Sequence, residues 1–285
     1  MRSEPRAAVG PVTAPWWLWL SVPIALLGVP GSVAGILVDR IYANETTGWQ
    51  TQAIGQDIAN LVVLPVMLVL AVAAARGSVR ALVAWAGTVV YAAYAYVIYA
   101  FAMHFGPLFL LYVAVLGLAV WALIGFFADI DTARLPTSPT GRLNGSVSAF
   151  LIVIAAGFAL LWLSQDLPAI LNGAPPKELR DAGLLTNPVH VLDLALFLPA
   201  AMLAGLLLRR GRAWGRVLAP IVLCAMAGIS LGIVSLTIVA IARGEEASPV
   251  VATVLGLLGI AQALTCWRFL KSMGSRIPLE TSSPR

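Results

Sequence analysis

The sequence predicts an all-α, polytopic transmembrane helical bundle of about eight spans, arranged as a 4+4 parallel internal repeat. Three observations lead there. The chain is 60% apolar and only 11% charged over 285 residues, whereas soluble domains run about 45–50% apolar and about 25% charged. One water-soluble core cannot absorb that surface, so lipid must solvate it. Eight apolar runs reach the roughly 20 residues that a helix needs to cross a bilayer. The basic residues also alternate from one connecting segment to the next.

The runs fall at 16–38, 54–75, 80–103, 107–128, 146–164, 189–208, 217–242 and 249–270. The first follows "MRSEPR" and contains "GSVA", which together imitate a signal peptide. Its apolar character continues through "GILV" to Val38, so it is expected to remain as a span. "DRIYANETTGWQTQ", "RGSVR" and "HFGP" separate the next three runs, and "DIDTARLPTSPTGRLNG" leads to the fifth. "QDLPAILNGAPPKELRDAGLLTNP", "RRGRAWGR" and "RGEEAS" complete the set. Each separator carries the Gly, Pro, Asn and charge that mark turns. The sequons at Asn44 and Asn144 are short, common matches and carry little weight.

Basic residues orient the spans, since cytoplasmic loops collect Lys and Arg. With the N-terminus inside, the inner segments hold Arg2, Arg6, Arg76, Arg80, Arg134, Arg142, Arg209, Arg210, Arg212, Arg216, Arg268, Lys271, Arg276 and Arg285, which is 14 of 18. Arg40, Lys177, Arg180 and Arg243 fall outside. The expectation is a multi-pass protein of the cell inner membrane with both termini cytoplasmic. Its parts are a cytoplasmic segment 1–15, a first half 16–128, a cytoplasmic linker 129–145, a second half 146–270 and a cytoplasmic tail 271–285. Four arginines at Arg209, Arg210, Arg212 and Arg216 are expected to rest on anionic lipid headgroups.

The halves echo each other. At an offset of 134, Leu64-Pro65 falls on Leu198-Pro199, Arg76-Gly77 on Arg210-Gly211, and Gln56 on His190. "VLGL" at 115–118 recurs at 254–257. Both halves start on the same side, so the repeat axis would run along the membrane normal. "GVPG" at 28–31, Pro65 and Pro199 are expected to interrupt or bend their helices.

Ionisable groups inside a membrane are costly, and each is a functional hypothesis by default. Asp57, His190 and Asp193 qualify, with His104 at a turn and Gln56, Asn60, Tyr94, Tyr96, Tyr99 and Tyr112 nearby. Gln262 on the last span is the exception; all the others lie in the outer leaflet or at its edge, which predicts a polar recess opening outward between the halves. Gln56 and Asn60 share one helix face, as do His190 and Asp193. The ligand-binding candidates are therefore Gln56, Asn60, Tyr94, Tyr99, His104, His190 and Asp193, with Asp193 contacting a cation or proton and His190 as its partner. Asp57 has a simpler expectation, a carboxylate in the first turn of its span favoured by the helix dipole.

The run "GQD…LP…RG", the tyrosine-rich third span and "VLDLALFLP" resemble a family of bacterial polytopic membrane proteins described only as hypothetical. The resemblance covers most of the chain and implies no activity. Sixteen Arg against two Lys suggests a GC-rich bacterial genome.

No P-loop, dinucleotide fingerprint, HExxH or GxSxG is present. Cys224 and Cys266 both lie in apolar runs and read as small buried residues. The functional expectation is a protein that binds or transports a small molecule or lipid headgroup, with no cofactor and no nucleic-acid partner; the oligomeric state is left open. Two alternatives stand beside it: a membrane-embedded metal-assisted enzyme using His190 and Asp193, and a non-catalytic assembly partner of another membrane complex.

Overall fold

A computed structural model describes residues 14–132, 141–245 and 247–274. It is an all-helical bundle with eight helices long and apolar enough to span a bilayer. They are α1 (Trp16–Leu37), α2 (Thr47–Ala75), α3 (Val79–Ala102), α4 (Phe109–Asp129), α5 (Gly141–Leu171), α6 (Pro188–Arg209), α7 (Ala213–Ala242) and α8 (Pro249–Ser272). The chain is an integral, multi-pass membrane protein. Arg2, Arg6, Arg134, Arg276 and Arg285 lie outside the described residues, as do most of the terminal segment and tail and part of the linker.

Local chemistry sets several helix starts. Thr46 accepts the Trp49 N–H at 3.4 Å, so α2 begins well before its apolar run. Ser78 accepts from Ala81 at 3.2 Å to open α3, and Ser248 accepts from Val251 at 3.4 Å ahead of Pro249 to open α8. Asn187 accepts from Val189 and His190 at 3.1 and 3.2 Å, with Pro188 at the first helical position of α6. The matched glycines Gly77 and Gly211 take φ values of +88° and +67°, which turn the chain after α2 and after α6.

Within the first half, neighbours in the chain pack side by side and α1 closes the ring against α4. In the second half α5, α6, α7 and α8 also pack in chain order, but α5 and α8 barely meet, so that ring stays open. The halves join mainly through α7, which lies along both α2 and α3. At Gly55 a Cβ would overlap the backbone of Leu236, so α2 and α7 touch backbone to backbone. Close approach through small residues is how membrane helices gain packing where lipid supplies no hydrophobic drive. Trp17, Trp85 and Phe126 form an aromatic cluster in the first half, with centroids 5.3 to 6.0 Å apart. Leu151, Leu208, Leu223 and Phe269 centre a second core. α3 is the most buried of the eight spans and α8 the least, so α3 is central and α8 is an edge helix.

Three expectations about the helices change. First, α5 runs through Asp166 and Pro168 to Leu171, although those residues read as loop. Second, Pro30 and Pro65 sit inside continuous α-helix and interrupt nothing. Third, α6 does not simply bend at Pro199. Its residues Pro188–Leu192 are α-helical, Asp193–Phe197 form a π turn, and Leu198–Arg209 are α-helical again. Pro199 has no N–H to give the Ala195 carbonyl, and its ring crowds that oxygen. The wide turn just before it, with the Leu198 N–H reaching the Asp193 carbonyl, accommodates that loss.

Candidate functional site

The ionisable side chains of the bundle interior gather toward the end opposite the Arg209–Arg216 turn. One centre forms on α2. Asp57 is buried, and Tyr42 and Tyr99 donate to its two oxygens at 2.6 and 2.8 Å. Gly35 faces this carboxylate, and a Cβ there would overlap it. Burial, and next the Asp57 charge, push the Tyr42 phenol well above its ordinary range, so it remains a donor. Among the described residues no basic side chain forms an ion pair with Asp57. The expected place in the first helical turn is therefore wrong. Because the Thr46 cap starts α2 early, Asp57 lies well inside the helix, where two phenols and not the helix dipole stabilise it.

One turn further, Asn60 is fully buried. Its amide donates to Ser32 at 3.3 Å, and its oxygen accepts from Tyr91 at 2.9 Å and from Gln56 at 3.3 Å. Gln56 also donates to Tyr91 at 2.6 Å. Gln56 and Asn60 do share a face, but only Gln56 reaches a cavity wall.

That cavity is a chamber of about 90 Å³ where the halves meet. Trp49, Gln52 and Gln56 of α2 and Tyr91, Tyr94 and Tyr99 of α3 line it, with Ile229, Ile233 and Leu236 of α7 and Val189 of α6 opposite. Gln52 is exposed, whereas Tyr91 and Tyr99 are buried deep in it. Among the described residues no Lys or Arg lines the chamber. Two carboxylates stand directly behind its aromatic wall. Asp57 accepts from Tyr99, and Asp193 accepts from Tyr94 at 3.1 Å.

The second centre lies between α5 and α6. Trp162 donates to the other Asp193 oxygen at 2.8 Å. The Trp162 ring stacks on His190 at 4.3 Å and 28°. His190 is not the partner of Asp193; its Nδ1 lies 2.9 Å from Asp166. Sharing a helix face brought the two residues close, but each side chain found a better partner on a neighbouring helix. A cavity of about 760 Å³ opens beside this pair, lined by Asp166, His190, Thr186 and Asn187 and otherwise by apolar side chains such as Ile170, Leu179, Leu185 and Leu194.

The single recess expected from sequence is thus two separate spaces. Gln56, Tyr94 and Tyr99 line the chamber, Asn60 and Asp193 support it from behind, and His190 belongs to the lateral cavity. His104 joins neither: on an exposed turn, its backbone N–H and Nδ1 contact Glu45 at 2.7 and 2.9 Å. Asp166, Trp162 and Trp49 were not picked out by sequence as site residues. Trp162 and Asp166 are spaced i, i+4, which a longer α5 would have placed on one face. Among the described residues no three His, Cys, Asp or Glu side chains gather as metal ligands. Asp166, His190 and Asp193 do not converge as such a set among the described residues, since Asp166 takes up His190 Nδ1 and Asp193 is held by Trp162 and Tyr94.

Comparison with protein-family models, curated proteins and solved structures finds no match. The functional reading rests on this geometry alone.

Proposed function

We propose that the protein binds a small organic cation in the chamber between its halves. The observation that supports this reading is the wall itself: four aromatic residues, Trp49, Tyr91, Tyr94 and Tyr99, with a carboxylate hydrogen-bonded behind two of them and no basic residue among the described lining. Aromatic faces attract ammonium groups, and the attraction strengthens where water is excluded. A buried carboxylate such as Asp57, which has no ion-pair partner among the described residues, adds to the pull. Gln52 and Gln56 offer the polar contacts that would fix a small headgroup. On the positive-inside expectation the chamber opens outward, and Arg209, Arg210, Arg212 and Arg216 rest on anionic headgroups at the cytoplasmic surface of the inner membrane.

The test is calorimetric titration of the purified protein with choline and with its uncharged isostere, in which carbon replaces nitrogen. Choline is expected to bind roughly tenfold or more tightly, as two or more desolvated cation–π contacts would give. Equal affinity for the two compounds, or no binding of either, would sink the reading. Uptake of labelled choline by proteoliposomes then separates a carrier from a receptor.

A further inference from the structure

We infer that the lateral cavity between α5 and α6 is a second binding site, for a single-chain amphiphile whose polar end donates a hydrogen bond, such as a long-chain alcohol or monoacylglycerol. The cavity does not depend on the chamber reading, since it shares no lining residue with it. Its volume of about 760 Å³ falls in the roughly 300–1,000 Å³ range of small-molecule sites. Most of its wall is aliphatic, and Ile170, Leu185 and Val191 on its rim are exposed on the surface that faces lipid or its boundary. An apolar chain can therefore enter from the side.

Chemistry is concentrated at one spot in the cavity. A carboxylate only accepts, so the close contact with Asp166 makes His190 Nδ1 the donor. In the tautomer that carries its one proton on Nδ1, the ring presents Nε2 as an acceptor. The His190 side chain is 8% exposed, and Nε2 has no hydrogen-bond partner among the described residues. No fully buried side-chain nitrogen or oxygen among the described residues lacks a partner, so Nε2 is not sealed in protein and opens to the cavity that His190 lines. Trp162 stacked on the ring and the Asn187 cap at the His190 N–H hold this acceptor in place. Asn187 already accepts two backbone N–H groups. A hydroxyl at the end of an alkyl chain matches both features: its donor meets Nε2 and its chain fills the aliphatic wall. A carboxylate headgroup would instead meet the Asp166 charge.

The experiment is photoaffinity labelling of the full chain in nanodiscs with a diazirine-bearing long-chain alcohol, followed by peptide mapping. Labels are expected on the segments 166–176 and 185–195. Unlabelled alcohol should compete roughly tenfold better than its methyl ether, which keeps the oxygen acceptor but has lost the donor. His190→Phe keeps the stacked ring and removes Nε2, so it should abolish that preference while choline binding persists. Labelling elsewhere, equal competition by alcohol and ether on the unaltered protein, stronger competition by the matched fatty-acid carboxylate, or a preference that survives in His190→Phe would each overturn the assignment. The ether comparison needs no variant, so misfolding of His190→Phe would not protect the idea.

Discussion

α2 and α6 are built to a common plan and end up as different objects. Each starts on a side-chain cap, carries a proline in its middle and ends at a positive-φ glycine. Yet α2 is a continuous α-helix through Pro65, while α6 opens into a π turn before Pro199. Their surroundings differ in the same sense. α2 is held by α1, α3 and α7, whereas α6 is held by α5 and α7 and only grazes α3. A carboxylate on the enclosed helix becomes a hub: Asp57 ties Tyr42 and Tyr99 together. On the looser helix, Asp193 accepts from half-buried Tyr94 and Trp162, beside two cavities. Both carboxylates stand behind the chamber wall, but the one on the enclosed helix is held by more deeply buried donors than the one on the looser helix.

The difference can be broken by experiment, and the largest effect is expected at the hub. Asp57→Leu takes the carboxylate acceptor from two buried phenols, of which Tyr99 keeps the Ala53 carbonyl at 3.2 Å, and should cost about 2–4 kcal/mol. Asp193→Leu, with half-exposed partners, should cost about 1–2 kcal/mol. Thermal unfolding in detergent measures both, and equal losses would erase the contrast. Gly55→Ala comes next, because its methyl must displace the Leu236 backbone; about 1–3 kcal/mol is expected, with α2 and α7 forced apart. Pro199→Ala should let the π turn tighten into α-helix at a stability change below about 1 kcal/mol. That would rotate the His190–Asp193 segment against the rest of α6 and change Trp162 emission. Pro65→Ala, in a helix that is already regular, should leave tryptophan emission unchanged. The smallest structural effect is Tyr94→Phe, which should leave unfolding unaltered within about 1 kcal/mol while weakening choline binding a few-fold.

The spans were legible in the sequence because a bilayer demands a long apolar run, and that demand is local. The chemistry was less legible because it is not. Asp166 sits beside Gln165 and two residues before Pro168, a spelling that reads as loop, yet α5 continues through it to Leu171 and packs along α6. His190 and Asp193 were visible as a pair on one face, but their partners Asp166, Trp162 and Tyr94 lie 24 to 99 residues away. Tyr42, on the segment between α1 and α2, gave no hint that it would meet a carboxylate. By contrast Gln56 and Asn60 joined as their spacing suggests, because both ends of that contact lie on one helix.

Arg80, at the start of α3, donates to the Met273 carbonyl at 2.9 Å and to the Lys271 carbonyl at 3.0 Å, so it grips the end of the least buried helix. Its Met273 acceptor lies 193 residues further along the chain. During synthesis Arg80 therefore enters the bilayer boundary long before its acceptors exist and must stay hydrated until α8 arrives. A chain truncated before α8 would leave this guanidinium without either carbonyl acceptor.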